Sequence, residues 1–317
     1  MSIQVPGTFT EDFKARTTFQ SSSALDKMAF SEVPGTSTVP NQQGAIGVFD
    51  SGVGGLSVMN EIARQLPHED ILYFADSANC PYGPRPLEEV RKLSEAITAF
   101  LIQQGAKIVV VACNTASAVS LHHLRATFQV PIVGMEPAIK PAAGRTESNK
   151  IGVIATQATF QGELFASLVE RFAADVDVYT QVCPGLVERV EAGLIEDIKT
   201  EELLADCLKP MLDACIDSLV LGCTHYPFLR KTIERVVGPG VTVIDPSQAV
   251  ARQTERVLEK KGLANRANRV GKHLFYTSGD PKAFAEMVER LIGERGKAQR
   301  VRWHTDGQVH LLARHPI

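Results

Sequence analysis

From residue 44 onward, short apolar runs alternate with amphipathic stretches. Residues 44–49 read as a buried strand, followed by a glycine-rich turn at 50–55. Leu56, Met59, Ile62, Ala63 and Leu66 then recur at helical spacing. Residues 71–74 predict a second strand. Residues 87–104 predict a helix carrying Leu87, Val90, Ile97 and Leu101 on one face, with Gly105 as its natural terminator. An apolar strand at 108–112 runs into Cys113, and a helix is predicted near 116–127 with a short strand at 131–134. The pattern then restarts: residues 151–156 echo 46–51, residues 201–215 read as a helix, and a strand at 218–222 runs into Cys223. A strand at 241–245, a helix from Pro246 to about 261, a strand at 274–277 and a helix at 280–292 complete the pattern.

Strands that alternate with helices predict an α/β protein with parallel sheets. A strand–helix–strand–helix–strand–cysteine unit occurs twice, so two similar parallel-sheet α/β domains related by a pseudo-twofold are expected, with the active site at their interface. The expected division is an extension over 1–43, a first domain of 44–137 plus 247–317, and a second domain of 138–246. Ser, Thr, Pro and Gln dominate the extension, which is expected to be disordered or peripheral, with Phe9, Phe13, Phe19 and Phe30 as anchors if it docks.

Composition narrows the class. The 317 residues are 44% hydrophobic and 22% charged, with a net charge of −3. A packed core is expected, and general nucleic-acid binding is not. The sequence holds neither a signal segment nor an apolar run long enough for a bilayer, so a cytoplasmic protein without a membrane partner is expected. The six cysteines form no Cys-x-x-Cys pair, and free thiols are expected. The basic run Arg290, Arg295, Lys297, Arg300 and Arg302 is interspersed with Glu289 and Glu294 and reads as a solvated face.

The candidate chemistry sits where parallel strands end. Cys113 is followed by Asn114 and Thr115, and Cys223 by Thr224 and His225. Two thiols held there could face each other across one pocket, one taking a proton from a carbon and the other returning one to the opposite face. Cys207 and Cys215, within a helical stretch, read instead as small buried hydrophobes. The 50–55 turn lacks the lysine of a P-loop and the spacing of a dinucleotide fold, and Asp50 would repel phosphate. Asp50 therefore reads as a carboxylate that binds an amine or tunes a thiol. The Pro81-Tyr82-Gly83 turn follows a strand and offers backbone N–H groups and a Tyr hydroxyl to a ligand. His122 and His123 read as structural or surface residues. Cys223 and His225 have the spacing of half a metal site, but no second pair stands near them in sequence, so no metal is expected.

Five segments taken together resemble the glutamate racemases of the aspartate/glutamate racemase superfamily. They are the run from Phe49 to Val58, Ala75-Asp76-Ser77 with Pro81-Tyr82-Gly83, the run from Ala112 to Ala118, Ile154-Ala155-Thr156 with Ala158-Thr159, and the run from Leu221 to Pro227. The resemblance implies an enzyme without a cofactor that interconverts L- and D-glutamate and supplies D-glutamate for peptidoglycan, with a homodimer as the expected assembly. It assigns the two proton-transferring thiols to Cys113, acting on D-glutamate, and Cys223, acting on L-glutamate. It pairs Asp50 with the first thiol and His225 with the second, with Glu191 as a further acid. It assigns substrate binding to Asp50, Ser51, Pro81, Tyr82, Gly83, Asn114, Thr115, Thr159, Thr224 and His225. The long N-terminal extension and Cys80 depart from the commoner form of that family. Two other readings stay open at this point: an aspartate or hydantoin racemase of the same superfamily, and a silent binding or inhibitor protein on this fold, such as a gyrase inhibitor.

Overall fold

The computed structural model describes residues 42–304 and 307–311. The expected extension over 1–43, with its four phenylalanines, lies outside the described residues except for its last two positions. The first unit is β1 (Ala45–Asp50), α1 (Leu56–Gln65), β2 (Ile71–Ala75), α2 (Leu87–Gln103), β3 (Ala106–Val111), α3 (Asn114–Thr127) and β4 (Ile132–Gly134). After the short α4 (Ile139–Ala143), the second unit comprises β5 (Lys150–Ala155), α5 (Gln157–Gln161), α6 (Glu163–Phe172), β6 (Asp177–Val182), α7 (Leu186–Glu191), α8 (Ile198–Asp213), β7 (Ser218–Gly222), a 3-10 turn at Tyr226–Leu229, α9 (Arg230–Val237) and β8 (Thr242–Ile244). The tail adds α10 (Ser247–Lys261), β9 (His273–Thr277), α11 (Pro281–Ile292), β10 (Ala298–Trp303) and β11 (Val309–Leu311).

Two sheets result. One runs β11-β10-β9-β2-β1-β3-β4 and the other β6-β5-β7-β8. The order β2-β1-β3-β4 in the first matches β6-β5-β7-β8 in the second, strand for strand, so the sequence echo is a structural repeat. Every described pairing is parallel except β10 with β11. In each sheet the central strand pairs on both sides. β1, β3, β5 and β7 carry near-continuous Val, Ile and Leu because helices cover both of their faces. Helix α1 turns Leu56, Val58, Met59 and Ile62 into the core and packs against α10. Asp197 and Asp280 start α8 and α11 by accepting the backbone N–H of Thr200 and Ala283, each at 2.8 Å.

The structure corrects the sequence reading of the cysteines and adds a strand and a buried ion pair that it did not include. Residues 298–303 form a strand, in which Val301 is fully buried while Arg300 and Arg302 stay exposed. Cys183 and Cys207 are joined by a disulfide with Cα atoms 5.7 Å apart, so neither is a free thiol and Cys207 is not a simple core residue. Cys215 is not buried either; it is exposed just beyond α8 at φ 61°. Lys107 lies inside a buried strand, where its ammonium meets the Glu69 carboxylate at 2.6 Å. His122 is exposed and His123 bonds Glu95 at 2.8 Å, as surface residues do.

Candidate active site

The equivalence of the two units fixes where the cysteines lie. Cys113 follows β3 and Cys223 follows β7, the same position in each sheet. Cys113 caps α3, its Sγ accepting the Ala116 N–H at 3.4 Å. Both thiols are buried, at 5% and 6% exposure, and Cys223 is among the neighbours that act on the Cys113 charge. Burial, then the Asp50 carboxylate, pushes the Cys113 thiol far above its ordinary range.

Asp50 ends β1 and is fully buried. Its Oδ1 accepts the Gly52 N–H at 2.8 Å, and its Oδ2 accepts the Thr224 hydroxyl at 2.9 Å. The second bond spans the two sheets. Burial lifts the Asp50 carboxyl above the usual carboxylate value, against the pull of His225 and these two donors.

Next to Cys223 stands a charged chain. His225 Nδ1 faces Cys223 Sγ at 3.7 Å, and His225 Nε2 meets Glu191 Oε1 at 2.6 Å. Burial alone would lower the histidine; its contacts with Cys223, Cys80 and Glu191 outweigh that and hold it well above its ordinary range. Glu191 is desolvated, yet bonds from His225, the Val53 N–H at 2.8 Å and Cys80 at 3.5 Å hold it below the usual value. Each ring nitrogen thus faces an acceptor, Cys223 Sγ on one side and Glu191 Oε1 on the other, an arrangement that favours the protonated ring. Gly52 and Gly54 make room for it: a Cβ on Gly54 would overlap the His225 ring and Thr224 Oγ1, and one on Gly52 would overlap Glu191.

Polar groups converge on the space between the sheets. Asn114 is 3% exposed, and neither its amide oxygen nor its amide nitrogen has a partner. A buried amide left with all its bonds unmade is costly unless something else fills them. Thr115 Oγ1 lies 2.8 Å from Thr156 Oγ1 and 3.5 Å from Thr159 Oγ1, and Thr156 lies 3.0 Å from Thr159. Ser51 is buried beside Asp50. The 81–83 turn packs on this cluster, since a Cβ on Gly83 would come within 3.0 Å of Thr156 Cβ.

The structure corrects one part of that turn. The Tyr82 hydroxyl donates to Asp76 Oδ2 at 2.6 Å instead of being offered to a ligand. Asp76 also accepts from Ser278 at 2.7 Å, Trp303 Nε1 at 2.8 Å and Asn79 at 3.1 Å. It is the hub that holds Pro81-Tyr82-Gly83 in place from beneath. Sequence reasoning assigned no role to Asp76, Thr156 or Cys80. The first two lay inside quoted motifs, at strand ends, which was the available signal. Cys80 stood out in the sequence only as a departure from the resembled family, and it is the tertiary fold that brings it to Glu191.

The family model for Asp/Glu/Hydantoin racemase matches residues 46–254. A glutamate racemase from Herpetosiphon aurantiacus is 51% identical over 246 residues, 78% of this chain and 97% of that relative. One from Pseudomonas aeruginosa is 47% identical over 253 residues, 80% and 95% of the two chains. Among solved structures, a glutamate racemase isoform from Bacillus anthracis superposes with TM-score 0.75 at 37% identity, covering 82% of this chain and 98% of that one. The Escherichia coli glutamate racemase, solved with L-glutamate and the activator UDP-MurNAc-ala, gives TM-score 0.73 at 32% identity, covering 86% and 100%. With the same paired-sheet architecture and near-complete coverage of these relatives, the chain belongs to the glutamate racemases of the Asp/Glu/hydantoin racemase family.

Proposed function

We propose that this protein racemises glutamate by two-base proton transfer at Cα, and that Cys113 and Cys223 are the two bases. The observation that carries the reading is the pair of buried thiols at equivalent strand ends of two repeated sheets, with the unpartnered Asn114 amide next in sequence to Cys113. Relatives at about half identity bear the name glutamate racemase, and a solved relative holds L-glutamate, which supports glutamate over aspartate or hydantoin.

An amino-acid Cα–H is a very weak acid. Removing it needs a base on one face, an acid on the other, and donors that strengthen as charge grows on the carboxylate. The Asn114 amide and the hydroxyls of Ser51, Thr115, Thr159 and Thr224 are donors of that kind, with the 81–83 turn closing the pocket. The electrostatics of the two thiols differ. Cys113 has a carboxylate as its main charged neighbour and rests as a thiol. Cys223 has the His225 ring at 3.7 Å, with Glu191 bonded to the far side of that ring. In the forward half, the Cys223 thiolate takes the Cα proton of L-glutamate. The Cys113 thiol then gives its proton to the opposite face, leaving thiolate at 113 and thiol at 223. D-Glutamate runs the same steps backwards.

The product would serve peptidoglycan synthesis in the cytoplasm. Two domains, 44–137 with 247–317 and 138–246, and a homodimeric assembly complete the proposal. Racemase activity of the purified protein with L-glutamate, without added pyridoxal phosphate, tests it. Inversion of glutamate but not aspartate is expected; no inversion of either, or a preference for aspartate, would overturn it.

A further inference from the structure

Cys80, Glu191 and His225 come from three separate segments, yet their ligand atoms all lie within 4.8 Å of one another. The Cys80 thiol approaches Glu191 Oε1 at 3.5 Å, on the same oxygen that meets His225 Nε2 at 2.6 Å. Gly52 floors the cluster, since a Cβ there would overlap Glu191 and come within 3.0 Å of Cys80 Sγ. Cys80 is only half-buried and Glu191 is 23% exposed at its side chain, so the cluster is reachable from solvent, while His225 forms its inner wall.

A thiolate, an imidazole nitrogen and a carboxylate oxygen form a donor set suited to zinc, and three protein ligands leave a fourth position for water. The ring's other nitrogen, Nδ1, faces Cys223 Sγ at 3.7 Å, the kind of outer partner that orients a metal-bound histidine. The ligand atoms need only open slightly, because zinc sits about 2.0–2.3 Å from such donors. We propose that Cys80, Glu191 and His225 form a zinc site that switches the enzyme off. Zinc takes the place of the protons on Cys80 Sγ and His225 Nε2, which leave to solvent, and binds the Glu191 carboxylate as it is. His225 is then fixed on the metal through Nε2 and is no longer available to Cys223, which its Nδ1 faces at 3.7 Å.

The inhibitory half rests on the racemase reading; the binding half does not. All test proteins carry Cys215→Ala, which removes the exposed thiol. Cobalt(II) is added to that protein, to a Cys113→Ala/Cys223→Ala variant and to a Cys80→Ala variant, and the thiolate-to-cobalt charge-transfer band is recorded. The band is expected in the first two and absent in the third. In the turnover assay, each protein's zinc inhibition is read against its own metal-free rate, and in Cys80→Ala the half-inhibiting zinc concentration rises by about tenfold or more, the scale of losing even an outer partner of a bound metal. A band that vanishes with Cys113 and Cys223 would place the cation on the catalytic thiols and overturn the proposal. So would equal zinc sensitivity with and without Cys80. If Cys80→Ala does not fold, the band in the Cys113→Ala/Cys223→Ala protein decides alone: present, it supports the site; absent, it refutes it. A protein inactive toward glutamate under all conditions would refute the racemase reading, while the cobalt spectra still decide the site.

Discussion

His225 Nε2 lies 2.6 Å from Glu191 Oε1, while the other nitrogen of the same ring faces Cys223 Sγ at 3.7 Å. Contacts with Cys223, Cys80 and the Glu191 carboxylate together raise the histidine against the effect of its burial, which favours positive charge beside one of the two thiols. Glu191→Gln removes the first link. The His225 pKa should fall toward its ordinary value. Activity that needs imidazolium is lost as pH rises through that pKa, so the alkaline limb of kcat/KM should move to lower pH in the variant. A full pH–rate profile checks this. An unmoved or upward-shifted alkaline limb would show that His225 is not held charged by Glu191.

Each thiol should be indispensable to inversion. Cys113→Ala and Cys223→Ala are each expected to lower kcat by about 10²–10⁴-fold, the usual contribution of a positioned acid or base, with circular dichroism unchanged. Near-normal turnover by either variant would show that its cysteine is not one of the bases.

The Thr224 hydroxyl and the Asp50 carboxylate join the two sheets at 2.9 Å. Thr224→Val keeps the shape but leaves a fully buried carboxylate oxygen without its donor. A loss of about 1–3 kcal/mol is expected in denaturant unfolding. Equal stability of the two proteins would mean that this bond contributes little to holding the sheets together.

A second buried pair lies far from the pocket. Lys107 Nζ meets Glu69 Oε2 at 2.6 Å, with side-chain exposures of 0% and 3%. Lys107→Met strands the Glu69 charge, and about 3–5 kcal/mol should be lost; adding Glu69→Leu should recover most of it, because a matched apolar pair tolerates burial. Thermal melts of the single and double variants check both halves. A double variant no more stable than Lys107→Met would argue that the pair is not an isolated unit.

The sheets and both strand-end cysteines were legible because continuous apolar runs that stop at a small polar turn have few other readings. The repeat was legible for the same reason: the element order recurs even where residue identity does not. Strand β10 was missed because Arg300 and Arg302 dominate its sequence, and the single buried Val301 is too little periodicity to read. The Lys107–Glu69 and Cys183–Cys207 pairs depend on which loops meet in space, and spacing along the chain carries no such information. The Tyr82 hydroxyl was assigned to a ligand because its true acceptor, Asp76, is a strand-end acid whose other partners, Ser278 and Trp303, arrive from the far end of the chain. The Cys80–Glu191–His225 cluster was invisible for a related reason, since its three members come from three segments.

The central claim is that two different thiols work on opposite faces of Cα. Conversion of protiated L-glutamate in heavy water tests it most directly, with both enantiomers sampled at low conversion by mass spectrometry. Because the acid that protonates the product has exchanged with solvent, D-glutamate should carry deuterium at Cα from the first turnovers, while the remaining L-glutamate still carries protium. Protium at Cα of the D-glutamate formed, or equal labelling of both enantiomers from the start, would mean that one base serves both faces and would contradict the account.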